Sequence, residues 1–419
     1  MVLKKSSRKY DILILGASGY TGTLTAQHIA AHLPTNLRWA ISSTSRSKLE
    51  SLAAKLKEEY SDRTQPHIEV INVNNTDKLG SVVEQAKVCI SAVYYTAAGE
   101  QVIRACIESG TDYIDCSVMS SLLYTWTRKF HKQAQDSGVA LIHACGDMIT
   151  PLDLVCWLAV QEIQSRWSLK TGDVVLRMDG FETNMSGGTI RTILPHASLS
   201  PKVIKQVQSP SALSPIEHPG EPSPFWGMRR HPQLGLLAAT FPTADQDRAI
   251  IYRTWGLLEG TEKSYGPNFE YNEYAKAPSV LGGILMILQS YILSFLLSLA
   301  RIGPIRNYLF SIAPAAGSGP SAKVAESAQV SLEVFAKADP GISGAESTKS
   351  VRVSYLYPGG HYPLAGLNMA QAAASLLYSR KLGGNITGGC LTPAILGPDF
   401  IERTKSVGVQ YTINAVDDD

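Results

Sequence analysis

Residues 10–22, with the sequence YDILILGASGYTG, decide the fold of the first part of this chain. Tyr10 and the run from Ile12 to Leu15 are typical of a buried parallel strand. Glycines follow at positions 16, 19 and 22, and leucine or isoleucine at 24, 29 and 33 then indicates an amphipathic helix. Such a junction directs backbone N–H groups and the positive helix end at one point, which suits a pyrophosphate. An ordinary strand–helix turn is the alternative.

Each glycine in this junction has a distinct predicted role. Gly16 allows the tight turn, Gly19 lets a phosphate approach the backbone, and Gly22 lets the helix pack close to the strand. Together with their neighbours they form the predicted phosphate contacts of a dinucleotide, which are Gly16, Ser18, Gly19, Tyr20, Thr21 and Gly22.

The end of the next apolar run, residues 37–41, predicts which dinucleotide is bound. An acidic residue there favours NAD, whereas a nearby arginine favours NADP. The sequence SSTSRSKLE follows this run, and it has no acid before Glu50. Ser43, Thr44 and Arg46 therefore predict a site for the 2′-phosphate of NADP (NADPH). The alternative is that Arg46 only begins an exposed helix.

Strand and helix patterns alternate six times before residue 146, which indicates a doubly wound, Rossmann-like parallel sheet over residues 1–150. The pattern then changes, and residues 151–419 predict a C-terminal α+β domain on a mixed sheet, for substrate binding or dimerisation. Its final segment is a candidate to pack back on the first domain. We expect an irregular insertion over 195–247, antiparallel strands over 249–258 and 268–276, and a hairpin of 325–337 with 350–357.

Residues 280–300 contain no charged side chain and reach the length of a membrane span. Ser290, Ser294 and Ser298 form one polar stripe at helical spacing. A transmembrane helix, a helix lying on a bilayer, and a buried helix beside a substrate channel are the alternatives. The stripe argues against full exposure to lipid, so we expect attachment to a membrane surface or a role in a pocket wall.

The overall composition excludes several classes of function. The net charge of +2 and the absence of a basic motif argue against nucleic-acid binding. Six scattered cysteines without a CxxC pair indicate reduced thiols and no metal site. The first ten residues lack an apolar region, so no cleavable signal peptide is expected. We expect an intracellular protein, in the cytosol or on the cytoplasmic face of a membrane or lipid droplet.

Several motifs together resemble the saccharopine dehydrogenase-like oxidoreductases, including the trans-acting enoyl reductases of lipid and polyketide pathways. The motifs span almost the whole chain and are GASGYTG at 16–22, GTDYIDCS at 110–117, HACG at 143–146, SGGTI at 186–190, GSGPS at 317–321 and GGCLTPA at 388–394. The resemblance implies an NAD(P)-binding first domain, a second domain on a mixed sheet, and an apolar helix linked to membranes or lipid droplets. A homodimer is a further expectation.

The sequence departs from the family pattern at four places. Residues 42–44 replace an Ala-Gly-Arg, and residues 94–96 replace a Gly-Pro-aromatic turn. A Gly-Glu is missing near residues 118–120, and residues 147–149 replace a Phe-Asp-Ser. The phosphate loop is kept, but the nicotinamide side has changed. Either the substrate differs, or hydride transfer has been lost and the pocket has been reused. Absence of a bound cofactor is a further alternative.

Candidate proton donors lie where the predicted strands end. Tyr94 and Tyr95 are preferred, because a tyrosine hydroxyl can protonate or hold a carbonyl oxygen; packing of the cleft is the alternative. Asp147 is the third predicted catalytic residue. His143 is expected in the core, and Asp153 is expected to brace a helix start.

Three functions follow from these observations. The first is an NADP-dependent reductase of an apolar enoyl or carbonyl substrate in a lipid, polyketide or other natural-product pathway. The second is a non-redox isomerase, dehydratase or cyclase on the same scaffold. The third is a non-catalytic membrane-associated binding protein. The fold alone does not choose between them.

Overall fold

The computed structural model describes residues 7–180, 186–218, 227–239, 243–315, 317–321, 328–339, 341 and 349–417. The first strands are β1 (Tyr10–Leu15), β2 (Trp39–Ser43), β3 (His67–Val70), β4 (Ala86–Ser91), β5 (Asp112–Asp115) and β6 (Ala140–Ile142). The helices between them are α1 (Tyr20–His32), α2 (Arg46–Glu59), α3 (Thr76–Val83), α4 (Tyr95–Ser109) and α5 (Ser120–Asp136).

The later part of the described chain alternates less regularly. Its elements are α6 (Ile149–Trp167), β7 (Thr171–Met178), α7 (Gly187–Ala197), α8 (Pro201–Val207), β8 (Met228–His231), β9 (Gly235–Ala239), α9 (Thr243–Leu258), β10 (Glu270–Lys276), α10 (Val280–Ser298), α11 (Gly303–Ile312), β11 (Val330–Ala338), β12 (Lys349–Tyr357), α12 (His361–Tyr378), β13 (Gly389–Leu391), α13 (Gly397–Ser406) and β14 (Gln410–Asp417).

The first sheet is the predicted doubly wound parallel sheet. Its strand order is β13-β6-β5-β4-β1-β2-β3, and every neighbouring pair runs parallel. The core side chains of β1, from Ile12 to Leu15, are fully buried, as expected for a strand covered on both faces. The chain order reverses beside β1, and in such sheets ligands bind outside the carboxyl ends of the strands at this point.

The second sheet is mixed, with the order β14-β12-β11-β7-β10-β9-β8. β7 and β10 run parallel, whereas the other described pairs run antiparallel. The predicted hairpin is present as β11 and β12, with Val330 opposite Tyr357. The predicted fold class, a Rossmann-like sheet followed by an α+β part on a mixed sheet, is confirmed.

Two expectations for the middle of the chain are wrong. Residues 249–258 belong to helix α9, not to a strand, and within 195–247 the described residues form helices and two short strands. Helix α9 is buried on all sides, because it packs against α6 and β10. Its apolar residues therefore show no helical period and resemble those of a buried strand. The strand at 268–276 is β10, which pairs parallel with β7 and antiparallel with β9.

The C-terminal residues return to the first sheet. Strand β13 pairs with β6, and helix α12 packs closely on α1 at Gly366, where a Cβ atom would lie 2.9 Å from the backbone of Leu24. The Asn368 amide donates to the carbonyl oxygen of Gly146 at 2.7 Å. This packing brings the start of α12 to the carboxyl ends of the first strands.

Candidate functional site

The glycine junction has the geometry that dinucleotide binding requires. Gly16 has a φ of +82°, and a Cβ atom there would lie 2.5 Å from the carbonyl oxygen of Ala92. A Cβ atom at Gly22 would collide with the carbonyl oxygen of Gly16. Gly19 has an ordinary φ of −80° and directly precedes the first turn of α1. The cradle therefore leaves room for a phosphate at the positive end of the helix, and its residues fit an NADP pyrophosphate.

Tyr20, in the first turn of α1, connects the glycine junction to two distant segments. Its hydroxyl donates to the carbonyl oxygen of Pro320 at 2.6 Å. Its ring meets the ring of Tyr362 edge-on, with centroids 5.1 Å apart. Ser18 lies in the turn before α1, and Thr21 is the second residue of the helix. This side of the site is thus closed by residues that lie far away in the sequence.

The predicted 2′-phosphate residues lie together at the end of β2. The Ser43 hydroxyl accepts a hydrogen bond from the Ser45 amide at 3.2 Å, and Thr44 is exposed. Arg46 is the first residue of α2 and lies 3.6 Å from a carboxylate oxygen of Glu50. This exposed pair is weak, so the guanidinium can rearrange to bind a phosphate.

We expect Arg46→Ala to weaken NADPH binding about tenfold, since a charge-assisted hydrogen bond contributes about 1.5 kcal/mol or more. NADH lacks the 2′-phosphate, so its affinity should stay unchanged. Fluorescence titration of the variant and the wild type with both cofactors checks this. Equal losses for NADPH and NADH would contradict the assignment of Arg46 to the phosphate.

A cavity of about 640 Å³ lies at the carboxyl ends of β1, β4 and β5, against Gly19, Tyr20 and Thr21 of the glycine junction. Later parts of the chain also line it, namely Gln246 and the segments 186–193, 317–318 and 361–365. Residues at three of the departures from the family pattern also line it, namely Tyr94, Tyr95, Val118, Met119, Asp147 and Met148. The residues at these three departures therefore line one and the same cavity.

The hydroxyls of the two predicted tyrosines are already engaged in hydrogen bonds. Tyr94 is 40% exposed and donates to the carbonyl oxygen of Arg191 at 2.7 Å. Tyr95 donates to the carbonyl oxygen of Ser91 at 2.9 Å, and its oxygen lies 3.1 Å from the sulfur of Cys116. Burial raises the pKa of Tyr95 well above its ordinary value. Both side chains line the cavity, and their catalytic role stays a prediction.

Asp147 faces a partner that the sequence did not reveal. The Nδ1 atom of His361 lies 3.1 Å from a carboxylate oxygen of Asp147, and both residues line the cavity. His361 is the first residue of α12, which packs on α1 and on the strands β4 and β5. The two atoms lie within ion-pair distance but are not aligned for a hydrogen bond. When His361 is protonated, Asp147 can therefore hold its charge, and the pair can hold and release that proton.

Two other candidate groups lie away from the cavity. His143 is buried, and its Nδ1 atom lies 2.8 Å from a carboxylate oxygen of Asp115. Burial opposes protonation, but the Asp115 charge raises the pKa of His143 to about 9. Asp153 is buried in α6 and accepts hydrogen bonds from Thr254 and the Ala394 amide, so it joins α6 to the C-terminal segment.

Sequence reasoning missed most of the cavity-lining residues that come from the later segments 186–193, 317–318 and 361–365. Ser186, Thr189 and Tyr362 form a hydrogen-bonded group beside the cavity, with 2.9 Å between the Thr189 and Tyr362 hydroxyl oxygens. The only sequence signal for these residues was the pair of motifs SGGTI and GSGPS. The structure joins the two motifs, because the Gly187 amide donates to the carbonyl oxygen of Ser318 at 3.2 Å. Nothing near His361 in the sequence indicated a site residue.

Comparison with known proteins supports the cofactor. Residues 12–142 match the family model described as the saccharopine dehydrogenase NADP binding domain. The chain is 27% identical over 427 residues to a provisionally named trans-acting enoyl reductase of Mycobacterium tuberculosis, covering 96% of this chain and 97% of the relative. A trans-acting enoyl reductase of Mycobacterium ulcerans is 25% identical, with 97% and 98% covered.

Among solved structures, apo saccharopine dehydrogenase (L-Glu forming) of Saccharomyces cerevisiae has a similar fold. The TM-score is 0.53 at 12% identity, and the match covers 97% of this chain and 99% of the yeast chain. The predicted resemblance to saccharopine dehydrogenase-like oxidoreductases is thus confirmed, and the first domain is of the type that binds NADP(H).

Proposed function

We propose that this protein is an NADPH-dependent reductase of an apolar enoyl or carbonyl compound in a lipid, polyketide or other natural-product pathway. One observation carries the proposal: the glycine junction and the Asp147–His361 pair line the same cavity. The names of the relatives support the reductase class, and the fold supports a nicotinamide cofactor.

The chain's own residues have three tasks in such a reaction. NADPH, when bound, supplies the hydride. The apolar wall, which includes Val93, Met119 and Ile193, holds the substrate and excludes water. Asp147 stabilises a proton on His361, and the pair delivers it to the carbonyl oxygen or to the carbon next to the carbonyl group of an enoyl substrate.

The test uses full-length protein stripped of cofactor. It is incubated with a trans-2-octenoyl thioester or with octanal, with and without NADPH, and the products are analysed by mass spectrometry. We expect a product with two added hydrogens only when NADPH is present and consumed. Product formed without NADPH would favour an isomerase, dehydratase or cyclase. Tight binding of either compound without any product would favour a non-catalytic binding protein.

Helix α10 supports attachment to a lipid surface. Val280–Arg301 is long and apolar enough to cross a membrane, by length and composition only. Its apolar side chains point away from the protein, with Leu281 67% and Phe295 64% exposed. The hydroxyls of Ser290, Ser294 and Ser298 donate to carbonyl oxygens of their own helix. No residue of α10 is among the described cavity-lining residues, so a role in this pocket's wall is not supported.

We propose that α10 lies on the cytoplasmic face of a membrane or on a lipid droplet, with its apolar side in the lipid. The neighbouring α11 extends this surface, since Tyr308 and Ile312 are also exposed. An exposed apolar patch of this kind marks an interaction surface, and a helix with one apolar side binds in the plane of the interface.

Replacing Leu285 and Phe295 with Asp should abolish co-sedimentation with phosphatidylcholine vesicles, because two carboxylates would enter the lipid. The control is Ile216→Asp, which changes an exposed apolar residue (39% exposed) outside α10 and α11. Alkaline carbonate should release the wild type from membranes. Resistance to carbonate would indicate a span, and detergent-sensitive dimers without vesicle binding would indicate that a second copy covers the patch.

A further inference from the structure

Arg191 is a charged residue of the cavity wall, and its side chain has no partner among the residues that the structure describes. The charged side chains among the described lining residues are Asp147, His361 and Arg191. Asp147 lies beside His361, whereas no hydrogen bond or ion pair joins the Arg191 side chain to any residue that the structure describes. Its Nε atom is buried and has no acceptor. A buried donor without an acceptor is costly, so each such group calls for an explanation.

The backbone around Arg191 is held from two sides. The Tyr94 hydroxyl donates to the Arg191 carbonyl oxygen at 2.7 Å. One turn earlier, the Ser186 side chain caps α7 by accepting from the Thr189 amide, and the Thr189 hydroxyl contacts Tyr362. The guanidinium is therefore attached to a fixed part of the wall, and the N-terminal turn of α7 adds positive potential beside it.

We propose that Arg191 binds an anionic group of the substrate. This inference rests on the proposed reductase function and narrows its substrate to an apolar enoyl or carbonyl compound that carries a carboxylate or a phosphate. A guanidinium binds either group with two parallel N–H···O bonds. The apolar lining holds the chain of the substrate, and Gln246 offers an amide donor to the same cavity.

The phosphates of the cofactor are the other possible source of the anion, because Gly19 and Tyr20 line the same cavity. The two sources differ in what a change at Arg191 affects. A substrate subsite requires that the variant lose affinity for small anionic chains in the absence of cofactor. A cofactor contact requires that it lose affinity for NADPH.

The experiment measures binding by calorimetry with cofactor-free, full-length protein. The probes are trans-2-octenoate, its methyl ester, octyl phosphate and NADPH. The variants are Arg191→Gln, Arg191→Lys and the control Arg166→Gln, which removes an ion pair with Glu162 and a ring contact with Trp167 outside the cavity lining. We expect at least one of the two anions to bind wild type roughly 10- to 100-fold tighter than the ester, since hydrogen bonds to charged groups contribute about 1.5–3 kcal/mol. Arg191→Gln should remove this preference, Arg191→Lys should keep part of it, and NADPH affinity should not change.

Equal binding of the anions and the ester by wild type would overturn the proposal, as would an unchanged preference in Arg191→Gln. Loss of NADPH affinity alone would assign Arg191 to the cofactor and also overturn it. Anion binding that depends on Arg191, in a protein that does not oxidise NADPH, would refute the reductase function but keep the subsite. Unfolding midpoints confirm that each variant is folded.

Discussion

Gly19→Asp is expected to abolish NADPH binding while the protein stays folded. The residue has an ordinary φ of −80°, and a Cβ atom there lies 3.2 Å from its nearest neighbour, the Gly16 carbonyl oxygen. The φ suits any residue, but this contact is tight, so the Gly16 carbonyl oxygen must shift slightly to admit a side chain. The new carboxylate would then lie where the phosphates bind. Juxtaposed like charges cost several kcal/mol, which corresponds to an affinity loss of roughly 100-fold or more.

The matched control for this variant is Gly80→Asp, which adds the same charge to α3 of the same domain. Nothing lies within 4 Å of a Cβ atom at Gly80, and it is remote from the cavity. Fluorescence titration gives the affinities, and thermal unfolding shows whether both variants are folded. A folded Gly19→Asp protein with wild-type affinity for NADPH would show that the glycine junction is only a structural turn.

Asp147→Asn and His361→Gln should each lower turnover by roughly 10²-fold, the lower range for loss of a general acid or base. The two residues act as a unit, so the double variant should lose little more than either single variant. NADPH affinity should stay near that of wild type, because neither side chain belongs to the glycine junction. Steady-state kinetics with NADPH and a trans-2-octenoyl thioester measure both effects.

The control for this pair is His67→Gln, at an exposed position of the edge strand β3. It should leave turnover unchanged. If Tyr94→Phe or Tyr95→Phe abolished turnover while the Asp147 and His361 variants remained active, the proton would come from a tyrosine, as the sequence first predicted. Additive losses in the double variant would show that Asp147 and His361 act separately.

Three of the positions that the resemblance predicts to depart from the family pattern lie in the wall of the cavity. Tyr94, Met119 and Met148 lie in the cavity wall, where substrate and cofactor would meet. The three glycines of the junction lie within residues 12–142, the range that matches the family model. We therefore expect cofactor binding to be conserved more strictly than substrate choice.

The sequence by itself determined the first parallel sheet and the strand–glycine–helix junction at its first strand. Those features depend on contacts between near neighbours: a buried strand, a glycine with a positive φ at position 16, and a helix start follow one another within 13 residues. The helix in the apolar segment 280–300 was equally predictable, because the composition of this segment alone indicates a long helix.

Only the tertiary structure decided what completes the site and which way α10 faces. His361, Arg191 and Gly317 reach the cavity because α12 packs on α1 and because α7 is held to the segment at 317–318. These contacts join residues that lie far apart in the chain, so the local pattern of hydrophobicity does not predict them. The buried helix α9 was misread for the same reason, since packing on every side removes the periodicity on which sequence reasoning depends.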